Sequence, residues 1–408
     1  MRFIFKFAIF VFTLCIFCCN LIFPFFIVEN DNKDLSVPKI HLIGDISNMS
    51  DKKDERKITV NYEGNGISFI KYAEVKLQGS SSLRYEKKNY NIKFYNDSDY
   101  SSKYRVNFGW GDEYKYCLKA NWIDKTHARN IVSARVIASV QKKYKLFTNA
   151  PNFGVIDGFP IEVYNNGEFL GLYTLNIPKD AWLYGMDENN KNHIAMVPEF
   201  NNDIAYMRNI VKDFSNWECE VGEENDYTLS KFNRLISFIN DSTDKEFKRD
   251  FDEYLNLDAV LNYYVLSEMF YLIDNKGKNL VMVTYDGLVW YPTLYDLDSS
   301  FGVNPSGNKI LDYNTSVNLE VNKLFERVSS IYSYELADRY FELRNTILTE
   351  KNINLILDEF MLSIPMSSLV KEQNRWDNIP GYDTMQIRNF VNKRLKYLDN
   401  FMFNRYID

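Results

Sequence analysis

Residues 271–302 read YLIDNKGKNLVMVTYDGLVWYPTLYDLDSSFG. A carboxylate, Asp274, is followed after four intervening residues by a carboxamide, Asn279. An apolar run comes next, then a turn signal at Asp286-Gly287. A second apolar run ends in Asp296-Leu297-Asp298, with Gly302 beyond. These residue types fit one chemistry. A carboxylate can orient or deprotonate an acceptor hydroxyl, while an Asn and an Asp hold Mg²⁺ on the phosphates of a nucleotide. Asp274 is thus the candidate catalytic group. Asn279, Asp296 and Asp298 are the candidate metal ligands.

Further toward the N-terminus, LQGSSSLRYEKKNYNIKF (77–94) puts a Gly and three Ser at the end of one strand, before a basic segment. Small residues let backbone N–H groups approach phosphate oxygens, so Gly79, Ser80 and Ser81 are candidate phosphate contacts. Lys88 is the lysine chosen to neutralise phosphate, with Lys87 and Lys93 close behind. In an alternating strand Lys87 and Lys93 share one face and Lys88 takes the other. A solvated surface hairpin would carry the same residues. In NWIDKTHARN (121–130) Asp124 or Thr126 can cap a helix. Arg129 could reach a phosphate from its first turn, and the plainer reading is a helix cap with a surface Arg. The three His, at 41, 127 and 193, have no ligand spacing, which argues against a zinc site. No Gly-x-Ser-x-Gly elbow or Gly-x-x-x-x-Gly-Lys-Ser/Thr loop is present.

The flanking text predicts an α+β chain. KITVNYEG, FIKYAEVKLQG, NYNIKFYN and YKYCLKANW alternate at period two and read as antiparallel strands. PIEVYNNGEFLGLYTLNI is a hairpin around Asn166-Gly167. A helix follows Thr126. Beyond about residue 200 the spacing is mostly helical. The acidic run NWECEVGEEND (216–226) reads as a solvated loop. With 408 residues, 46% hydrophobic and 25% charged, the chain can bury a substantial core. The formal net charge of −7 argues against a general nucleic-acid binder. The 16% aromatic content goes with plentiful Asn, Lys and Ile and reads as codon bias rather than a binding platform.

At the N-terminus Arg2 and Lys6 precede an apolar run from Phe7 to Val28, interrupted by Thr13, Asn20 and Pro24. A span needs ~20 apolar residues, and no small-residue cleavage site follows. The expectation is a signal anchor with the body outside the cytoplasm. A lipoprotein box around Cys18 is argued against by the bulky Phe17. Of five Cys, only Cys117 and Cys219 lie beyond this segment, so no disulfide framework is indicated. The expected divisions are an anchor at 1–28, a connector and first strand at 29–57, a β-rich nucleotide-binding lobe at 58–200, and a helical lobe at 201–408 carrying the catalytic loop and metal-binding hairpin.

Five segments in this order, LQGSSSLRYEKKNYNIKF, LKANWIDKTHARNIVSARV, FPIEVYNNGEFLGLYTL, IDNKGKNLVMV and WYPTLYDLDSSFG, resemble the CotH-type kinase-like family. NRWDN (374–378) and IRNFVNKRLKYLDNF resemble its ending, so the likeness covers roughly residues 38 to 405. The resemblance implies a two-lobed, atypical protein-kinase-like fold. It also implies ATP with Mg²⁺, or Mn²⁺ in its place, and transfer to Ser or Thr of spore-coat or surface proteins. It makes Asp274 the catalytic Asp, Asn279 and Asp296 metal ligands with Asp298 a further one, and Lys88 the phosphate contact. Two departures stand out. Neither His-Arg before Asp274 nor Asp-Phe-Gly is present, and Asn176 replaces the Glu common after the GLY-x-L strand. The competing readings are a non-catalytic kinase-fold scaffold and a D-x-D glycosyl- or nucleotidyl-transferase. A dehalogenase-type phosphatase would need βαβ units after Asp296, and helical text follows instead.

Overall fold

Alternation dictates the first half of the molecule. In the computed structural model, which describes residues 37–406, strands β1 (Lys39–Ile43), β2 (Glu55–Gly64), β3 (Ile67–Gln78) and β4 (Asn89–Tyr95) follow one another. After a two-stranded β5 (Val106–Asn107) and β6 (Asp112–Glu113) comes β7 (Lys115–Lys119), then helix α1 (Arg129–Lys143) and the hairpin of β8 (Gly158–Asn165) and β9 (Glu168–Asn176). Every second residue of these strands points inward: Val60 and Tyr62, Val75 and Leu77, Ile92 and Phe94, Tyr116 and Leu118, Ile161 and Val163 are buried together. The β8–β9 turn has positive φ at Asn166 (47°) and Gly167 (88°), as a tight hairpin requires.

The expected antiparallel strands do form, but they close on themselves. The order β1-β2-β3-β4-β7-β9-β8 is a closed barrel, completed by parallel pairing of β1 with β8. Closure removes the sheet edges, and apolar side chains fill the interior. Nothing in strand alternation distinguishes a closed barrel from an open sheet.

The second half is built around another sheet. β10 (Ile194–Pro198) and β11 (Trp217–Val221) precede helices α2 (Asp226–Asp241), α3 (Asp244–Asp250) and α4 (Leu257–Phe270). The hairpin of β12 (Leu280–Thr284) and β13 (Trp290–Leu294) completes an antiparallel sheet in the order β11-β10-β12-β13. Helices α5 (Lys323–Ile331), α6 (Ser333–Arg344), α7 (Glu350–Leu362), α8 (Met366–Arg375) and α9 (Thr384–Asn404) follow. From Ala259 to Phe270 every residue of α4 is buried, so it is the central helix, packed on β13, α1, α6 and α9. Tyr271 ends it in a left-handed conformation (φ 58°) and turns the chain toward Asp274.

One sequence reading is corrected here. The acidic run 216–226 is not simply a solvated loop, because its first part is β11. Trp217 and Val221 face the core, while Glu218 and Glu220 face the other way. Cys117 and Cys219 are both free thiols. The Phe7–Val28 run lies outside the described residues. Among the described residues no single helix is long and apolar enough to cross a membrane.

Candidate active site

A cleft of about 670 Å³ lies along the outer wall of the barrel. That is ample for a nucleotide-sized ligand. The inward residues of β4 and β7 belong to the barrel core, so their neighbours Asn89, Asn91 and Lys93, and Lys115, Cys117 and Lys119, face the cleft. The Gly79–Ser82 loop lines it too. Gly79 has φ +105°, and a Cβ there would lie 1.9 Å from Ser82 Oγ, so only glycine fits this turn.

The opposite wall is the quoted stretch. Asp274, Asn279, Asp296 and Asp298 all line the cleft with Gly79, Ser80 and Ser81. Segments some 200 residues apart by sequence therefore share one concavity, as roughly expected of a nucleotide site. Asn279 (φ 69°) and Asp296 (φ 55°) both adopt left-handed backbone conformations, which Asn and Asp tolerate better than most residues.

The electrostatics are unbalanced. Burial raises the Asp274 pKa, with the Asp296 charge adding to it and Lys278 and Lys276 opposing. Burial, then Asp296, hold Asp298 well above the usual carboxylate range, against Lys119. Burial disfavours the Lys119 ammonium, but the acidic groups around it, Asp296 among them, outweigh that and keep the lysine charged. Lys119 and Lys179 lie 5.9 and 5.2 Å from the centroid of the Tyr295 ring. Lys179 is further tied to Glu220 at 2.6 Å. Burial pushes the Cys117 thiol up to about 12, so it stays protonated and is no nucleophile.

Two expected contacts are not brought to the cleft. Lys88 Nζ donates to Leu83 O at 2.6 Å and is not part of the lining. β4 begins only at Asn89, so strand alternation does not reach residues 87 and 88. Lys87 does line the cleft, but its ammonium is consumed by Ala120 O (2.8 Å), Leu172 O (2.5 Å) and Glu372 Oε1 (2.6 Å). Arg129 is fully buried and also misses the cleft. It donates to Ser300 O (2.9 Å) and Gln386 Oε1 (2.6 Å), bracing the segment after Asp298 from behind. Its own N–H donates to Asp124 Oδ2 at 2.9 Å, so Asp124 serves the helix start as expected, although Ala128 occupies the N-cap.

Lys119 is the functional candidate that the sequence reading passed over. Its signal was the alternation of YKYCLKANW, which turns Lys119 away from Tyr116 and Leu118. Asn176 is buried, pairs in register with Cys117 and Gly158, and has no hydrogen-bond partner at either end of its amide. It does not line the cleft.

The donor set suits a metal held jointly with phosphate. Among the described residues no three His, Cys, Asp or Glu side chains are gathered as a self-sufficient metal cage. Two carboxylates and a carboxamide instead leave positions for phosphate oxygens and water, the usual sharing for Mg²⁺. A comparison with curated proteins finds no match. A family model described as CotH kinase protein matches residues 75–398, a range that takes in both walls of the cleft, and the chain belongs to that family.

Proposed function

We propose that the protein is an ATP- and Mg²⁺-dependent kinase that phosphorylates Ser or Thr hydroxyls of spore-coat or cell-surface proteins. In this reading the barrel and the helical half act as the two lobes of a kinase-like fold. The Phe7–Val28 run anchors the body at a membrane or in the spore envelope. The carrying observation is the meeting of Asp274, Asn279, Asp296, Asp298 and Lys119 with the Gly79–Ser81 loop in one cleft.

The bound nucleotide supplies the phosphoryl group, and its Mg²⁺, or Mn²⁺, supplies the positive charge that the carboxylates call for. Asp274 holds the acceptor hydroxyl and takes its proton; a raised pKa makes it a better base at neutral pH. Asn279, Asp296 and Asp298 fix the ion. Lys119 offsets phosphate charge, and N–H groups of the Gly79–Ser81 loop are available to phosphate oxygens. Lys88 has no part in this scheme.

The test is calorimetric titration of the purified full chain with ATP, with and without Mg²⁺, beside Asp296→Ala. The reading expects Mg²⁺-dependent binding that the variant loses, and a phosphate mass increment on Ser-rich acceptors. A folded wild type that binds no ATP would leave a scaffold in place of an enzyme.

A further inference from the structure

The β12–β13 ladder ends at the Leu280–Leu294 pair, so Tyr295–Asp298 continues without a strand partner. Two buried carboxamides take the place of that ladder. Asn275 donates from Nδ2 to Tyr295 O at 3.1 Å, and its main-chain carbonyl accepts from Tyr263 OH at 2.5 Å. Asn130, on the first turn of α1, accepts the Leu297 N–H at Oδ1, 3.0 Å away. The two amides thus grip the backbone on either side of Asp296, at the carbonyl before it and the N–H after it. Asp296 itself is in a left-handed conformation (φ 55°) that non-glycine residues keep only when their surroundings enforce it. Asn275 also follows Asp274 directly, so one amide ties the catalytic loop to the Asp296 turn. Asn130 ties the same turn to the helix that leaves the barrel.

Resting on the reading of Asp296 and Asp298 as metal ligands, we propose that Asn130 and Asn275 are positioning residues. They pre-form the metal-binding turn and fix its place relative to Asp274. Two carboxylates one residue apart repel, and a turn without ladder support would relax away from the geometry an ion needs. A pre-formed donor set removes that reorganisation cost from binding. Asn130 lines the cleft and Asn275 does not, but the role proposed for both is the grip on the turn and not contact with the ion.

The experiment follows Mn²⁺ binding to the full chain in the presence of ADP, by the electron paramagnetic resonance signal of the free ion. Thermal unfolding is recorded on the same metal-free samples. Asn130→Ala and Asn275→Ala are compared with Asn165→Ala. Asn165 is a barrel carboxamide that likewise serves backbone, donating to Leu42 O (2.8 Å) and Gly44 O (2.9 Å) far from the turn. The proposal expects the Mn²⁺ midpoint of the first two variants to rise about 10-fold, the usual cost of losing an outer partner of a metal ligand. Asn165→Ala should lose thermal stability with its midpoint unmoved. Wild-type midpoints in Asn130→Ala and Asn275→Ala, whatever their thermal stability, would overturn the positioning role. Should Asn275→Ala fail to fold, Asn130→Ala, which removes the acceptor of the Leu297 N–H, decides alone. A folded wild type that binds no Mn²⁺ would overturn the metal reading itself, and the positioning role with it.

Discussion

Two groups of charged side chains meet at the same cleft, the first reaching it only through Lys87, and they are finished differently. Around Lys87 the two charges are paired, and only the neighbouring His127 Nε2 is left without a hydrogen bond. Its ammonium has three acceptors, and Glu372 accepts from Lys87 and from Leu172 N–H (2.7 Å), with the two side chains 0% and 6% exposed. Beside them His127 is held neutral, its pKa driven well below the ordinary value by burial and by the Lys87 charge. Around Asp296 the opposite holds. The Asp296 charge acts on both Asp274 and Asp298, and Asp298 is forced toward its protonated form. Lys119 faces them without the saturating contacts of Lys87. Satisfied charges bind the barrel to α8 and resist change. Unsatisfied ones are poised to take up a cation and an anion, so the second group is where chemistry is expected and the first where stability is.

The sharpest way to test that division is to remove one member of each group. Asp274→Ala should lower phosphoryl transfer by about 10³-fold, within the range for loss of a general base. Nucleotide binding should stay near the wild-type level, and rate and affinity measured on one preparation separate the two. Glu372→Ala leaves a buried ammonium without its counter-ion and should cost roughly 3–5 kcal/mol in urea unfolding. Pairing Lys87→Met with Glu372→Leu should recover most of that loss. A negligible loss in the single variant would show that the Lys87 group is not the structural one.

Lys119→Met should weaken nucleotide binding by about 10- to 100-fold, as expected when a charge-assisted contact is lost, without lowering thermal stability. The smallest effect is the most diagnostic. The folded-state pKa of Asp298 is raised, so its contribution favours the fold at acid pH and is lost as pH rises through the folded value. Asp298→Asn should therefore stabilise the metal-free protein at neutral pH by about 1 kcal/mol, a typical gain when a functional charge is removed. That gain should vanish below about pH 4, where carboxylates are protonated in either state. Thermal melts across pH in a chelator measure it. A destabilised variant at neutral pH would mean that the carboxylates are balanced without metal.

The contrast also explains what the sequence made legible. Strand alternation announced β2, β3, β4, β7 and the β8–β9 hairpin, because one face of each is committed to a core. The same alternation separates the cleft-facing residues of β4 and β7 from the barrel core, although the sequence reading did not draw them, Lys119 included, from it. The choice of Lys88 went astray because residues 87 and 88 precede the strand, where tertiary contacts rather than pleating decide direction. The partners that consume Lys87 come from Leu172 and Glu372, which nothing local reveals. Arg129 looked available for phosphate because its acceptors, Ser300 O and Gln386, are equally distant in the chain. β10 and β11 were missed because each is only five residues long and β11 carries two glutamates. Their burial depends on the sheet that β12 and β13 complete later.

The closing pair of the barrel has a consequence for how the protein is made. Leu42 and Asn165, joined by a hydrogen bond at that seam, are 123 residues apart. On the ribosome β1 emerges early, and β2 covers one of its sides at once. The other side stays an open template for any neighbouring polypeptide until β8 has been translated. Non-local pairing of this kind is slow to form. The nascent chain is thus most exposed to mispairing while its first half is being translated, before any residue of the Asp274 loop has been added.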